Sequence, residues 1–563
     1  MITGGRRGKR RLGVAWVAAL VVCWGAGAEA QETIFDPENP GAEEEGEEEP
    51  EEDSEVEEEG SVEDKPSTER RSGGGATRWD VAYDTGLRVS PDGDRGRDRQ
   101  EWVGELELGL RHDVSPRTRA MLRGSFNYWA ASGRQEQDWR ALYEPRLDRA
   151  YIIHRREDWT FRGGQQRNDW GSTDIVRPGD MIDPRDIRDP AAGSGLGSGL
   201  GQLSGVATYT GAERWNWQFV VVPFFQADQI SAFGRDTSVI QEGTPGFGAT
   251  IGGDFGVPLV QLAEQALSPV NIEQGEPFLW ESQKPEALPK NISGGLRATT
   301  TYRSTDIGIG GYLGWDRVPE LYVDDDGVEL LGIMAEDGQI FQDFDLEGFV
   351  ERNPEAQGLL ASVGQTVGQG DSLGELRYRR RATFLVDGAR YVGPIGVRAD
   401  VAFSPQQMFY TDRFEAVRRA SLFGALGLSY ERLLGGERPL SLTVEGFWLH
   451  AFDEEGRVHD WLVRGEDEAE GELVLAEDGY VGAAAALSWA TGWSDLEVNA
   501  GGLATIRPGD VVGRIEVEKP WRSEFRTAIG AQWFWGPDPS EELSVGGLWQ
   551  NGDRILLSAR GRF

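Results

Sequence analysis

The chain has 563 residues, a formal net charge of −38 and a mean hydropathy of −0.47. This acidity argues against a nucleic-acid partner, because binding phosphates requires a positive surface. The single cysteine, Cys23, lies near the N-terminus, so the later chain has no thiol for disulfides, thiolate metal sites or cysteine catalysis. The low hydropathy also argues against a protein built from membrane-spanning helices.

The first 30 residues have the pattern of a secretory signal peptide. A basic stretch at residues 6–11 precedes an apolar core at residues 14–22, and Ala28-Glu29-Ala30 fits the small-x-small rule for cleavage. A lipoprotein signal ending at Cys23 is the alternative, which the large preceding valine disfavours. We expect residues 1–30 to be cleaved.

Residues 31–76 form a separate acidic segment. Between Gln31 and Asp64 there are 18 Asp or Glu residues and no Lys or Arg. Like charges repel, and the segment has too few apolar residues to build a core. We expect a disordered periplasmic linker; a tether that gathers divalent cations or a basic partner is the alternative.

Beyond the acidic segment, turn-rich gaps separate runs in which apolar residues alternate with polar or small ones. In one run, Val444 and Trp448 share one face, whereas Thr443 and Glu445 share the other. A period of two is typical of strands with one apolar face. We therefore predict an all-β fold for residues 77–563, a transmembrane antiparallel up-and-down β-barrel with long extracellular loops.

The runs number about 18, and an even number places both ends of the barrel on the periplasmic side. Because the runs near Arg146 and Asp510 are weak, a barrel of about 16 strands is the alternative. The predicted strands begin near Arg78, Glu101, Thr118, Arg146, Trp159, Gly201, Arg214, Ser293, Asp306, Leu373, Arg390, Ala420, Leu440, Tyr480, Asp495, Asp510, Glu524 and Arg554.

The gaps between runs are unequal, as in outer-membrane barrels, where long loops lie outside the cell and short turns lie in the periplasm. Two long gaps contain stretches compatible with helix, residues 259–267 and 355–367. We expect these helices either to fold into the pore mouth or to lie on the outer rim. The long gaps fall at residues 167–200, 227–291, 317–371, 404–417 and 453–478.

The last run carries Ile555, Leu557 and the terminal Phe563 on one face. A final strand that ends in Phe resembles the signal by which the bacterial barrel-assembly machinery recognises its clients. Together with the signal peptide, this ending predicts a location in the cell outer membrane. The expected partners are the outer-membrane lipid and the barrel-assembly machinery, the latter bound through Phe563.

Residues 162–186 contain the motif G-x-Q-x-x-x-W-G, followed by D-x-I-D-P-x-D. The motif resembles that of a family of large gram-negative outer-membrane β-barrels and, more distantly, that of alginate-export porins. The resemblance implies a barrel and leaves the solute open. The matching positions are Gly164, Gln166, Trp170, Gly171, Asp180, Ile182, Asp183, Pro184 and Asp186.

The same stretch carries closely spaced charges of both signs. Such charges would form an ion-pair network in a confined space, or create a field across a pore. The alternatives are a constriction loop and a loop held against the wall for structural reasons, and one loop can serve both purposes. The constriction-loop candidates are Trp170, Asp174, Arg177, Asp180, Asp183, Arg185 and Asp186.

Nothing in the chain indicates catalysis. The histidines His112, His154, His450 and His459 lie outside any nucleophile motif such as G-x-S-x-G. The glycine-rich residues 193–201 lack the Lys-Ser/Thr of a phosphate-binding loop. We therefore predict that the protein is not an enzyme and has no cofactor and no metal site.

Strand parity places a set of charged residues on the inner face of the barrel, where they would line a pore. One strand, beginning near Leu373, would carry a ladder of three arginines, Arg377, Arg379 and Arg381. An arginine excess favours an anionic or polyhydroxylated solute; alternatively, each arginine pairs with a carboxylate and the lumen is nearly neutral. The pore-lining candidates are Arg119, Arg123, Arg377, Arg379, Arg381, Arg398, Arg560, Arg562, Glu105 and Glu107.

The sequence therefore predicts a porin or exporter-like channel for passive passage of a small polar solute or polysaccharide. A plugged structural or adhesive barrel, which binds partners through its loops and acidic tail, is the alternative.

Overall fold

In a computed structural model of the chain, the described residues form a closed antiparallel β-barrel. The predicted signal peptide, the acidic segment up to residue 75 and the helix expected at 259–267 lie outside the described residues. The structure describes residues 76–91, 100–132, 140–188, 198–212, 214–233, 270–271, 281–323, 326, 330, 333, 346–368, 374–410, 416–434, 438–452, 480–507, 509–522, 524–537, 549 and 552–563.

Eighteen strands of the described residues form the wall, each paired with the next along the chain, and the last pairs with the first. We number them β1 Thr77–Val89, β2 Gln100–Ser115, β3 Thr118–Ser132, β4 Arg140–Arg156, β5 Trp159–Gln166, β6 Gln202–Tyr209, β7 Asn216–Val222, β8 Ser293–Tyr302, β9 Thr305–Trp315, β10 Arg380–Val392, β11 Ile395–Tyr410, β12 Ala416–Leu434, β13 Arg438–Ala451, β14 Tyr480–Ala490, β15 Glu497–Arg507, β16 Val511–Arg522, β17 Phe525–Trp535 and β18 Arg554–Arg562.

Smaller elements lie between the wall strands. Two helices, α1 Leu346–Arg352 and α2 Ala356–Gly368, follow β9, and α2 confirms the helix expected at residues 355–367. A short 3₁₀ helix spans Pro289–Asn291. Three small sheets pair Arg185–Asp186 with Ser198–Gly199, Ser231–Phe233 with Val270–Asn271, and Gly374–Arg377 with both Glu281–Gln283 and Glu320–Val323.

The prediction of an all-β barrel with 18 strands is confirmed, and each predicted run corresponds to one wall strand. The run predicted from Leu373 is wrong in one respect: it is divided between the small strand Gly374–Arg377 and β10. The gap expected at residues 404–417 is also wrong, because β11 continues to Tyr410. A register shift between Ser404 and Gln407 accommodates Pro405, which has no N–H to donate to a neighbouring strand.

The two faces of the wall alternate as the sequence predicts. Val444 and Trp448 of β13 are exposed on the outside, whereas Thr443 and Glu445 are buried on the inside. Successive side chains of a strand point to opposite faces, so this pattern produces an apolar outer band and a polar lumen. Such a band is the lipid-contacting surface of a transmembrane barrel.

Among the residues that the structure describes, no helix is both long and apolar enough to cross a bilayer.

The two ends of the barrel differ in their connections. At one end, which we call the turn end, short turns join the strands; Arg303 and Ser304, with φ of 50° and 62°, make a two-residue hairpin between β8 and β9. At the other, the loop end, the long connections emerge. The barrel sequence begins and ends at the turn end, as an even number of strands requires.

The wall strands differ greatly in length. Strands β5, β6 and β7 have 8, 8 and 7 residues, whereas β12 has 19. The chain therefore leaves β5 after Gln166, before it reaches the height of the longer strands. The connection that follows starts partway along the barrel axis, at the level of the lumen.

A pair of substitutions in β17 tests the two faces. We expect Ile529→Arg, on the exposed outer face, to cost about 2–4 kcal/mol if it lies at the bilayer midplane and less toward the interfaces. The matched variant Ala528→Arg places the same side chain in the polar lumen and should cost far less. Equilibrium unfolding from lipid vesicles measures both, and equal losses of stability would contradict this assignment of faces.

Candidate functional site

The connection after β5 turns into the barrel. Residues 167–188, which we call the inward segment, reach the inner face of β10, β11 and β13, where Asp387, Asp400 and Glu445 accept their hydrogen bonds. Strands β6–β9 separate β5 from those partners around the wall. Only a path through the lumen joins them, so the inward segment crosses the barrel interior.

Asp400 of β11 holds the start of the crossing. Its carboxylate accepts hydrogen bonds from Ser172 N at 2.7 Å, from Thr173 Oγ1 at 2.7 Å and from Thr173 N at 3.3 Å. Gly171 has φ of 106°, and a Cβ built there would collide with the Asp400 carboxylate. The glycine of the motif is thus required both by backbone conformation and by the anchor beside it.

Glu445 of β13 holds the next three residues. Its two carboxylate oxygens accept backbone N–H groups from Asp174 at 2.6 Å, Ile175 at 3.0 Å and Val176 at 2.5 Å. The inward segment is irregular here, so these N–H groups have no partner from secondary structure. Buried N–H groups need acceptors, and the wall carboxylate supplies them.

The underside of the inward segment is apolar. Trp170, Met181 and Ile182 are buried in a cluster with wall side chains that face the lumen. The indole Nε1 of Trp170 donates to Gln218 Oε1 at 2.5 Å, which satisfies the one polar atom of the ring. The wall members of the cluster are Val206, Val220, Val222, Tyr312, Leu385 and Ala402.

Asp183 is a buried residue of the inward segment and accepts hydrogen bonds from the backbone N and from Nδ2 of Asn168 in the same segment. Burial raises the pKa of Asp183 to about 7, and the negative charges of Asp180 and Asp169 contribute. The carboxyl is therefore at the edge of protonation near neutral pH.

The second half of the segment is held by ion pairs. Asp186 contacts Arg146 of β4 at 2.6 Å and Arg188 at 2.6 Å, and Arg188 also reaches Glu144 of β4 at 2.7 Å. Burial alone would raise the pKa of Asp186, but the two guanidinium groups hold it well below its usual value. Arg185 pairs with Asp180 at 3.0 Å.

The structure brings the seven constriction-loop candidates together in the inward segment, in two environments. Trp170, Asp183 and Asp186 are packed toward the wall, and Asp174 pairs with Arg398 of β11. The other three, Arg177, Asp180 and Arg185, line an open cavity on the loop-end side of the segment.

The arginines predicted to line the pore each have a carboxylate partner. The predicted ladder is wrong, because Arg377 belongs to a small sheet and Arg379 to a two-residue link outside β10. The predicted pore-lining carboxylates Glu105 and Glu107 lie on the inner face of β2, across the barrel from β10. The pairs are Arg119–Asp113 at 2.9 Å, Arg123–Glu107 at 2.8 Å, Arg377–Glu375 at 2.6 Å, Arg379–Glu320 at 3.1 Å, Arg381–Asp316 at 2.9 Å, Arg398–Asp174, Arg560–Asp84 at 2.8 Å and Arg562–Asp80 at 2.9 Å.

Sequence reasoning missed the role of the wall carboxylates as anchors. Strand parity places Asp400 and Glu445 inside the barrel, but an inward carboxylate that binds a backbone has the same sequence signal as one that faces solute. Asp387, which accepts Ser172 Oγ at 2.8 Å and Arg297 at 2.6 Å, was equally indistinct. The only local hint is the Trp170-Gly171 pair, because a glycine there allows another group to come close to the backbone.

A prediction concerns the Glu445 anchor. In Glu445→Gln one acceptor oxygen becomes an NH₂ group, so at least one N–H of residues 174–176 loses its partner. Hydrogen bonds to charged groups contribute about 1.5–3 kcal/mol, so amide hydrogen exchange there should speed up by about 10- to 100-fold. The control Glu107→Gln removes the same charge on the opposite wall. If the amides of residues 174–176 exchange at the same rate in the wild type and in both variants, Glu445 does not anchor the inward segment.

A second prediction follows from Asp183. Its pKa is raised from 3.8 to about 7, so the folded state favours the protonated form. Stability should therefore fall as pH rises between those two values and stay level above them, where the carboxyl is ionised in both states. Asp183→Asn, which stays neutral, should remove this step from the pH profile of the melting temperature in detergent. An identical profile in both proteins would contradict the assignment.

No protein-family model matches the chain, and no curated protein matches it. Solved structures are similar over most of its length. OccD3 (OpdP) of Pseudomonas aeruginosa is 7% identical, covers 86% of this chain and 91% of its own, and has a TM-score of 0.38. The outer membrane protein OpdK of the same organism is 8% identical, with 87% and 99% covered and a TM-score of 0.38. The outer membrane channel DcaP of Acinetobacter baumannii is 9% identical, with 87% and 98% covered and a TM-score of 0.35.

Proposed function

We propose that the protein is an outer-membrane channel for passive passage of a polar solute, and not an enzyme. The observation that carries the proposal is solvent access inside the barrel, beside the inward segment. Asp84 lies near the middle of β1 and faces the lumen, yet its side chain is 45% exposed; Arg560, its partner on the adjacent strand β18, is 38% exposed. Water therefore reaches the inner wall opposite the segment, so the inward segment narrows the lumen without filling it.

The charge arrangement favours a solute without strong net charge. Each arginine that we expected to attract anions has a carboxylate within ion-pair distance. Paired charges of opposite sign cancel beyond a few ångströms, and salt screens what remains. The proposed pore-lining residues would then guide a solute by hydrogen bonding more than by net field.

The motif supports a relationship to the large outer-membrane barrels that share it, and we include that relationship in the proposal. The motif has a physical role here: Trp170, Gly171 and Asp183 are among the residues that seat the inward segment. We also propose that residues 1–30 are a signal peptide and residues 31–76 a periplasmic linker.

Electrophysiology tests the channel. Purified protein in planar bilayers should give discrete single-channel conductance steps with weak preference between potassium and chloride, because the lumen charges are paired. Heat-unfolded protein is the control. Absence of steps from correctly folded protein would favour the plugged structural barrel instead.

The terminal Phe563 supports a further part of the proposal, recognition by the barrel-assembly machinery. Phe563 exchanges backbone hydrogen bonds with Val81, at 2.8 and 3.1 Å, and stacks on Tyr83 with ring centroids 6.1 Å apart. Deleting Phe563 should lower the amount of protein inserted in the outer membrane, measured by membrane fractionation. Phe563→Tyr, which keeps the terminal aromatic ring, should insert normally.

Folding of the truncated protein into detergent in vitro separates recognition from closure of the barrel. Normal folding in vitro with poor insertion in cells supports recognition. Insertion at wild-type levels in cells would contradict it.

A further inference from the structure

A cavity lies on the loop-end side of the inward segment, between that segment and the wall. The wall residues that line it, Arg381, Ala402 and Leu449, are nearer the loop end of their strands than the anchors Asp400 and Glu445. We call it the loop-end cavity. Its empty volume is about 750 Å³, part of which opens to solvent. A solute that enters from the loop end reaches this cavity before it passes the segment.

The charges around the loop-end cavity nearly balance. Four arginines and three aspartates line it, a formal excess of one positive charge. Arg381 pairs with Asp316 at 2.9 Å and Arg185 with Asp180 at 3.0 Å. Arg317 donates to the carbonyl oxygen of Met181 at 3.0 Å, which fixes its orientation. The cavity therefore presents donors and acceptors side by side and has no strong attraction for an ion of either sign.

Two carboxylate oxygens in the cavity wall retain acceptor capacity. Asp316 is 5% exposed, and its Oδ2 accepts no hydrogen bond from the described residues; Oδ1 of Asp180 likewise accepts none. A buried acceptor without a donor is unfavourable, so these two carboxylates would gain a hydrogen bond by turning toward a ligand that carries hydroxyl donors. An anionic ligand offers acceptors instead and would be repelled by the same oxygens.

The rest of the lining suits the body of a sugar. Gln407 and Ser421 place an amide and a hydroxyl on the wall, with Ser421 Oγ 3.4 Å from Gln407 Oε1. Met181, Phe423 and Leu449 provide apolar surface in the same cavity. A ring with hydroxyl groups on its rim and C–H groups on its faces needs both kinds of contact.

We propose that the loop-end cavity is a binding subsite for a neutral, polyhydroxylated solute such as a sugar, located at the entrance to the constriction. This inference rests on the proposed channel function, for which it specifies the class of solute. The paired arginine and aspartate side chains would bind vicinal hydroxyl groups as both donors and acceptors, and the apolar residues would cover the ring faces.

The test uses the full mature protein in planar bilayers and two probes that differ by one oxidation, the neutral cellobiose and the anionic cellobionate. Cellobiose should reduce the mean current or add binding noise in a saturable way, and cellobionate should do so more weakly at matched concentration. In Gln407→Leu the half-blocking concentration of cellobiose should rise about three- to tenfold, the loss expected of one hydrogen bond. The control Gln532→Leu makes the same change in β17, away from the cavity, and should leave it unaltered.

The outcomes are distinguishable. If the protein gives open-channel steps and cellobiose has no effect on them, the proposed channel function holds and the proposed subsite is wrong. Stronger interruption by cellobionate, or equal effects of Gln407→Leu and Gln532→Leu, would also overturn it. Absence of conductance would overturn the proposed function itself. Should Gln407→Leu not fold, by the criterion of heat-modifiable gel mobility, Ser421→Ala takes its place with the same expected direction of change.

Discussion

The structure depends on one constraint: backbone N–H and C=O groups in contact with lipid must bond to each other. An open sheet leaves an unpaired edge, so β18 returns to pair with β1 and closes the wall. In the closed wall every strand has one face toward lipid and one toward the lumen. The alternation of residues along a strand therefore determines which side chains contact lipid and which face the lumen. On β2, for example, Glu101, Glu105 and Glu107 lie on the inner face, whereas Leu106 and Leu108 lie on the outer face.

Inside the lumen the same requirement reappears in another form. The inward segment leaves the wall at Gln166 and has no regular partner for its backbone, so side chains of the wall must take that role. Glu445 and Asp400 accept the N–H groups of residues 172–176, and apolar side chains around Trp170 cover the underside. Carboxylates suit this task because they offer two oxygens that accept several donors without donating any.

Periodicity predicted the strands well because burial on a wall with two faces repeats every second residue. It failed where the chain leaves the wall: the residues around Arg377 alternate in the same way, yet they form a small sheet outside it. The segment around Trp170 could be predicted to turn inward from its charges and glycines. Its partners Asp387, Asp400 and Glu445 could not, because they lie more than 200 residues away in sequence, and local patterns do not encode register across the lumen.

The pairing of charges in the lumen bears on how such a channel can select its solute. An exposed ion pair contributes little to stability, about 0–1 kcal/mol, so stability alone does not explain why so many arginines face carboxylates here. Pairing has a second effect, since each guanidinium cancels a carboxylate field that would repel anions and concentrate cations. What remains is a surface dense in hydrogen-bond donors and acceptors but low in net field. A lumen of this kind separates solutes by size and by the pattern of their hydroxyl and amide groups. The inward segment determines the width of the passage and contributes part of its donors and acceptors.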